Sequence, residues 1–171
     1  MPTIKEIAKA CNVSVATVSN IINHKGSVGD ATRERVEQVI REMNYTPNYV
    51  AKNLKTKNTR SIGVIAEDMT VFALPDIIDG ITEYCEEEDY QILLVNLRLY
   101  KKFQDKYYRD NRHKEIVRQE IQKLLAKQVE GIIYVAAHER LINIIPEDLP
   151  IPTVVAYGFT GSEKIPSVVV K

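Results

Sequence analysis

The chain has 171 residues, room for one large domain or two small ones. With 44% hydrophobic and 27% charged residues it has the composition of a soluble globular protein, which excludes disordered and fibrous classes. Formal net charge is zero, yet residues 1–58 hold nine bases against five acids and the remainder fourteen against eighteen. A basic head on an acidic body is the footprint expected when only the head meets nucleic acid.

In chain order, Thr3-Ile4-Lys5-Glu6 fits a capping box, and Ile4, Ile7, Ala8 and Cys11 give the first helix an apolar face. After a tight link at residues 11–13, Ser14 reads as the N-cap of a second short helix. Val18, Ile21 and Ile22 form its apolar stripe, while Val15, Ala16, Thr17, Ser19 and Asn20 make the opposite face small and uncharged. Such a face can lie close against base edges and phosphates, whereas a solvated face is normally rich in Lys and Glu. The pair reads as a helix-turn-helix, with an ordinary helical hairpin as the plain alternative. A loop with two glycines leads to a third helix over 30–43, whose stripe is Val36, Val39, Ile40 and Met43, and Asn44 ends it. Residues 47–59 are basic, open on Pro47 and suit either two turns of helix or an interdomain linker.

These residues carry a resemblance. Thr3-Ile4-Lys5-Glu6-Ile7-Ala8, Val13-Ser14-Val15-Ala16-Thr17-Val18-Ser19, Ile22-Asn23, Thr32-Arg33 and Asn44-Tyr45-Thr46-Pro47-Asn48 are similar to the head of the lactose/purine repressor family. The resemblance implies that Val15, Ala16 and Asn20 read bases, and their chemistry agrees: Val and Ala can meet thymine methyls, and Asn can bond adenine. It implies phosphate contacts from Thr3, Ser14, Thr17, Ser19, Asn23 and Thr32. In the hinge it places Asn48, Ala51, Leu54 and Lys55 at the minor groove, Leu54 as a wedge that kinks the duplex.

From residue 60 onward, apolar strand-like runs at 60–66, 91–97, 131–137, 152–157 and 167–170 alternate with helical patterns at 75–88 and 113–127. That alternation argues a parallel sheet with helices on both faces. Ligands bind outside the carboxyl ends of such strands, which points to residues 67–74 after the first, with Asp68 and Phe72, to 137–139 after the third, with His138, and to Tyr157 after the fourth. An acid beside an aromatic suits a sugar; ordinary loop chemistry is the alternative for each residue. No GxGxxG follows the first strand, and there is no nucleophile elbow, metal spacing or phosphate cradle. Residues 98–112 are longer and more aromatic than the family's usual connection, as a solvated extension of the next helix or as a lid or interface element.

The expected architecture is therefore an all-α helix-turn-helix head (1–46), a hinge helix or linker (47–59) and an α/β parallel-sheet lobe (60–171). The lobe resembles the first lobe of periplasmic-binding-protein-type effector domains and lacks its second, as in a fragment of a longer repressor. The resemblance implies a homodimer on a palindromic operator, answering a small effector, a sugar in most of the family and a corepressor in some. A DNA-binding piece without effector response is the other reading. No enzymatic activity or cofactor is expected, and no membrane span or leader is seen, so a cytoplasmic protein is expected. Cys11 and Cys85 stand alone and read as reduced core residues, with no metal.

Overall fold

A computed structural model describes residues 2–47, 58–104, 107–110 and 112–169. The chain divides into two compact units, residues 1–57 and 58–171.

The first unit holds α1 (Ile4–Ala10), α2 (Val15–Ile22) and α3 (Asp30–Glu42). Both expected N-caps form. Thr3 and Glu6 close a reciprocal capping box on α1, and the Ser14 hydroxyl accepts the Thr17 amide at 3.0 Å on α2. Ile7, Ala8, Cys11, Val18, Ile21 and Val36 are buried together, and Ile22, Val39, Ile40 and Met43 pack half-buried around them. One face of each helix is thus spent on a single small core.

The three helices stop in the same way, and sequence reading foresaw only the last of these ends. Asn12, His24 and Asn44 adopt left-handed backbone (φ 50°, 50° and 47°) just past each C-cap. The next amide then folds back onto the final turn, with Val13 N to Ala8 O at 3.0 Å, Lys25 N to Asn20 O at 2.8 Å and Tyr45 N to Ile40 O at 3.0 Å. Glycine is the usual residue for this wrap; Asn, with its short polar side chain, is the next best.

The second unit is a five-stranded parallel sheet of β1 (Ser61–Ala66), β2 (Gln91–Asn96), β3 (Gly131–Val135), β4 (Thr153–Ala156) and β5 (Ser167–Val168). Its order is β2-β1-β3-β4-β5. Helices α4 (Leu74–Glu87), α5 (Leu99–Phe103), α6 (Tyr107–Asp110) and α7 (Lys114–Ala126) complete it. All the expected strands and both long helices form, though β5 is shorter than expected and Val170 lies outside the described residues. Central β1 is buried along nearly its whole length, which explains its unbroken apolar run. Gly63 is needed there: a Cβ on it would meet Leu124 of α7 at 2.7 Å.

The chain steps from β1 outward to β2, then back past β1 to β3, β4 and β5. With right-handed crossovers this reversal puts α4 and α7 on opposite faces. It also makes the carboxyl ends of β1 and β3 the switch point where such sheets take ligands.

Residues 98–112 are not a solvated extension of the next helix. Leu99 and Tyr107 are wholly buried, and the segment folds as two short helices, α5 and α6, that join the lobe's core. Leu99, Phe103 and Tyr107 supply the apolar surface that draws this otherwise charged segment onto the core.

Candidate nucleic-acid interface and ligand crevice

Helix α2 carries no charged side chain, with no acid in its first turn and no base in its last. By contrast, Glu6 and Asp30 sit in the first turns of α1 and α3. The positive end of the α2 dipole is therefore not neutralised locally, and an approaching phosphate meets it directly. Val15 (41% exposed), Ala16 and Asn20 face solvent, while Thr17 and Ser19 are half-buried on the flanks. Val15, Ala16 and Asn20 thus leave this side of α2 uncharged and open to solvent.

The residues expected to hold phosphates separate into two groups. Ser14 and Thr17 lie together at the α2 N-terminus, hydroxyls 2.8 Å apart, with Ser19 on the same helix and half-buried Thr32 in the first turn of α3. Thr3 and Asn23 are already engaged. The Thr3 amide and hydroxyl donate to the Glu6 carboxylate at 2.7 and 2.9 Å, and these bonds hold the Glu6 carboxyl below its usual range. Asn23 donates its side-chain amide to the Ser19 carbonyl at 2.7 Å, closing the last turn of α2. A phosphate contact from either must compete with these bonds. Asn48, Ala51, Leu54 and Lys55 lie outside the described residues.

At the switch point of the second unit the structure builds around the first residue of the loop at 67–74, one that sequence reading included but did not single out. Glu67 follows β1 on the face shared by Gly63 and Ile65, and it is fully buried. Its carboxylate accepts five hydrogen bonds: from Tyr134 (2.6 Å), Tyr107 (3.1 Å), the Ala137 amide (2.7 Å) and both terminal nitrogens of Arg140 (3.0 and 2.5 Å). Burial pushes the Glu67 carboxyl up, but the Arg140 bonds and charge, with Tyr134 and the Ala137 amide, outweigh it and hold it below the usual value. Burial and the Glu67 charge push the Tyr107 and Tyr134 phenols up, so both stay protonated and donate. Arg140 also lies 5.5 Å from the Tyr107 ring centre. The pair is a structural rivet, joining β1, β3, the loop after β3 and the inserted α6.

Of the four residues expected to meet an effector, the structure joins two. The Phe72 and His138 rings stand edge to face, centroids 5.1 Å apart, and Phe72 is 66% exposed. Burial, then the Arg140 charge, lowers the His138 pKa, so its imidazole is neutral at pH 7. Asp68 is a different case. It is 2% exposed, and one oxygen accepts the Thr70 amide and hydroxyl (3.2 and 2.8 Å) while the other accepts the Lys101 amide at 3.4 Å. The acid offered to sugar hydroxyls is turned instead into its own loop, as Asp commonly is in a turn. Tyr157 ends β4 half-buried, its amide bonded to Val168 O at 2.8 Å. Phe72 and Tyr157 share one feature: left-handed backbone at φ 52° and 57°. For bulky side chains that conformation is costly, and such strain concentrates at ligand-binding loops.

Residues 3–48 match the pattern of the bacterial regulatory proteins of the lacI family. The head is a lacI-family domain. Among curated relatives it is 33% identical over 158 residues to the transcriptional repressor PurR of Vibrio atlanticus, and 29% identical over 155 residues to the ribose operon repressor of Haemophilus influenzae. Each of these matches covers 91% of this chain and 43% of the relative, so the chain spans less than half their length. Among solved structures, the lac repressor dimer bound to operator and the anti-inducer ONPF aligns with a TM-score of 0.77 at 23% identity, over 99% of this chain and 48% of that one. A LacI-family regulator from Silicibacter pomeroyi aligns with a TM-score of 0.72 at 21% identity, over 100% of this chain and 48% of that one. At these identities the likeness is one of fold: a helical head and a parallel α/β lobe. Among the described residues no helix is long and apolar enough to cross a membrane, and no cluster of His, Cys, Asp and Glu is placed to hold a metal.

Proposed function

We propose that this chain is a sequence-specific DNA-binding regulator whose head reads one half of a palindromic operator through α2. The observation that carries the reading is the uncharged face of α2, with Val15, Ala16 and Asn20 presented to solvent above a local core. Its support is the lacI-family match over residues 3–48 and the repressor names of the relatives. A two-fold symmetric site calls for two heads, so the working unit is a homodimer. Asn48, Ala51, Leu54 and Lys55 form its hinge, with Leu54 entering the minor groove. The reading needs no catalytic group or cofactor, and it places the protein in the cytoplasm with its DNA.

The second unit senses a small effector at the switch point, where the exposed Phe72 ring and neutral His138 meet between β1 and β3, with Tyr157 at the next strand mouth. The planar ring and a neutral imidazole suit a sugar, with release from DNA on binding. A corepressor of other chemistry is the alternative, favoured by Asp68 having turned inward, away from sugar hydroxyls. Either way the response is a coupling free energy between two sites.

Asn20→Ala tests the base-reading claim. We expect it to cost about 1–3 kcal/mol on a selected operator and much less on random duplex. Titrations of the parent and variant on both DNAs at one salt concentration measure this. An equal loss on both would reassign Asn20 to phosphate contact or packing.

A further inference from the structure

The segment between β2 and α7 does more than connect them, because it fills the switch point. The Leu99 amide donates to the Glu67 carbonyl at 2.8 Å, and the Lys101 amide to the Asp68 carboxylate at 3.4 Å. The Tyr107 hydroxyl donates to the Glu67 carboxylate at 3.1 Å. Its ring stacks on His138 with centroids 6.3 Å apart and meets the His113 ring edge to face at 5.3 Å. Phe72, exposed at the mouth, meets the same His138. From the mouth inward the crevice thus runs through Phe72, His138 and Tyr107 and ends on Glu67 and Arg140. A small ligand in such a crevice is held in this way, a ring against rings with a few polar groups to orient it. Here the chain supplies the ring itself.

The lobe does not depend on that ring as it depends on Arg140. Without the phenol, Glu67 keeps the Tyr134 hydroxyl at 2.6 Å, the Ala137 amide and both terminal nitrogens of Arg140. The segment that carries Tyr107 is also weakly built. Helices α5 and α6 have five and four residues, too few to hold helical form alone. Left-handed backbone stands at both ends of α5, at Arg98 (φ 54°) and Gln104 (φ 57°, ψ −150°), and the second lies where only glycine is at ease. Of the ties to Glu67 and Asp68, the Leu99 bond alone is shorter than 3 Å. A segment strained at both ends opens before the sheet does.

We propose that Tyr107 is an intramolecular ligand: the α5–α6 segment keeps its phenol in the effector crevice at rest, and an effector enters by displacing it. The proposal rests on the effector reading above and adds the ligand's class. What competes best is what copies the phenol, a small planar ring whose hydroxyl reaches Glu67. The apparent affinity of such a ligand falls with the fraction of molecules in which the crevice is already filled, so the segment sets the concentration at which the protein responds.

The test uses the full chain and p-cresol, the tyrosine side chain as a free molecule, with toluene as its hydroxyl-free control. By calorimetry we expect Tyr107→Ala to bind p-cresol about tenfold or more tighter than the parent does, and about tenfold tighter than it binds toluene. Trypsin, with fragments identified by mass, reads the opening itself, because Lys101, Lys102, Arg109 and Arg112 lie on the segment. We expect cuts there in the parent without urea, at a rate that low urea leaves unchanged, in a lobe that keeps its thermal transition. Tyr107→Phe loses only the hydroxyl and should speed those cuts about fivefold or more, which keeps the test open if Tyr107→Ala does not fold. Cuts that need the urea required to unfold the whole lobe would overturn the proposal and leave Tyr107 a fixed core residue. So would a Tyr107→Phe cut at the parent's rate, or a folded Tyr107→Ala that binds p-cresol no better than the parent does. If p-cresol binds Tyr107→Ala but leaves its operator affinity unchanged, the effector reading fails while the filled crevice stands.

Discussion

Replacing Arg140 by alanine is expected to destabilise the α/β lobe by about 3–5 kcal/mol at neutral pH, the usual result of removing one partner of a buried ion pair. The loss is large because Glu67 is wholly buried and keeps its charge: two phenols and one amide remain, but no cation. The pH dependence makes the expectation specific. In the parent, Glu67 titrates below the ordinary carboxylate value of about 4.3, so its stabilising contribution is present above that value and fades as acid protonates it. In the variant, burial acts without the guanidinium and raises the Glu67 pKa above the ordinary value. The penalty is then full at pH 7 and shrinks as the acid takes up its proton. Urea unfolding of both proteins at pH 7 and about pH 5 should show the gap narrowing in acid. A loss under about 1 kcal/mol, or a gap that widens in acid, would mean that the rivet contributes little.

The second large effect belongs to the head. Ile7 is fully buried in a core of six buried side chains among the described residues. Ile7→Ala should cost about 2–5 kcal/mol through lost burial and the cavity left behind. A unit of this size has only roughly 3–9 kcal/mol of stability in total, by the usual per-residue range. The head should therefore melt at a much lower temperature while the lobe keeps its own transition, and DNA binding should fall with the folded fraction of the head. Ile7→Val, at about 0.5–1.5 kcal/mol, should leave the head folded and binding intact. Thermal melts followed by circular dichroism, paired with gel shifts, separate these outcomes. A lobe transition that falls together with the head's would show the two units to unfold as one.

The sequence was readable where local rules act alone. Thr3 and Ser14 are caps because their hydroxyls meet amides three residues on, a distance set by helix geometry alone. The strands were legible because a sheet buried on both faces demands unbroken apolar runs, as in Ile62 to Ala66. The helix ends were less so, since Asp89 and Gln128 also take left-handed backbone, at 56° and 59°, where glycine is the familiar signal. Least legible was the rivet. Its members Glu67, Tyr107, Tyr134 and Arg140 come from four separate segments, and no local pattern links them. One clue was available: Glu67 directly follows a strand buried on both faces, so an acid there stood to be buried and to need a cation. Asp68, one residue on, is buried as well, but its carboxylate is spent on its own loop. The aromatic character of residues 98–112 was likewise visible, but the crevice that Tyr107 fills exists only once β1 and β3 are side by side.

The central claim is that the exposed face of α2 reads base sequence, and selection from a pool of random-sequence duplexes tests it most directly. The full chain is incubated with the pool at physiological salt, and bound duplexes are recovered, amplified and sequenced over successive rounds. The account predicts enrichment of a palindromic site whose half-sites match one head each, and loss of that enrichment in Asn20→Ala at the positions the amide contacts. Bound DNA indistinguishable in sequence from the input pool, held only through a salt-sensitive attraction to phosphate, would contradict it.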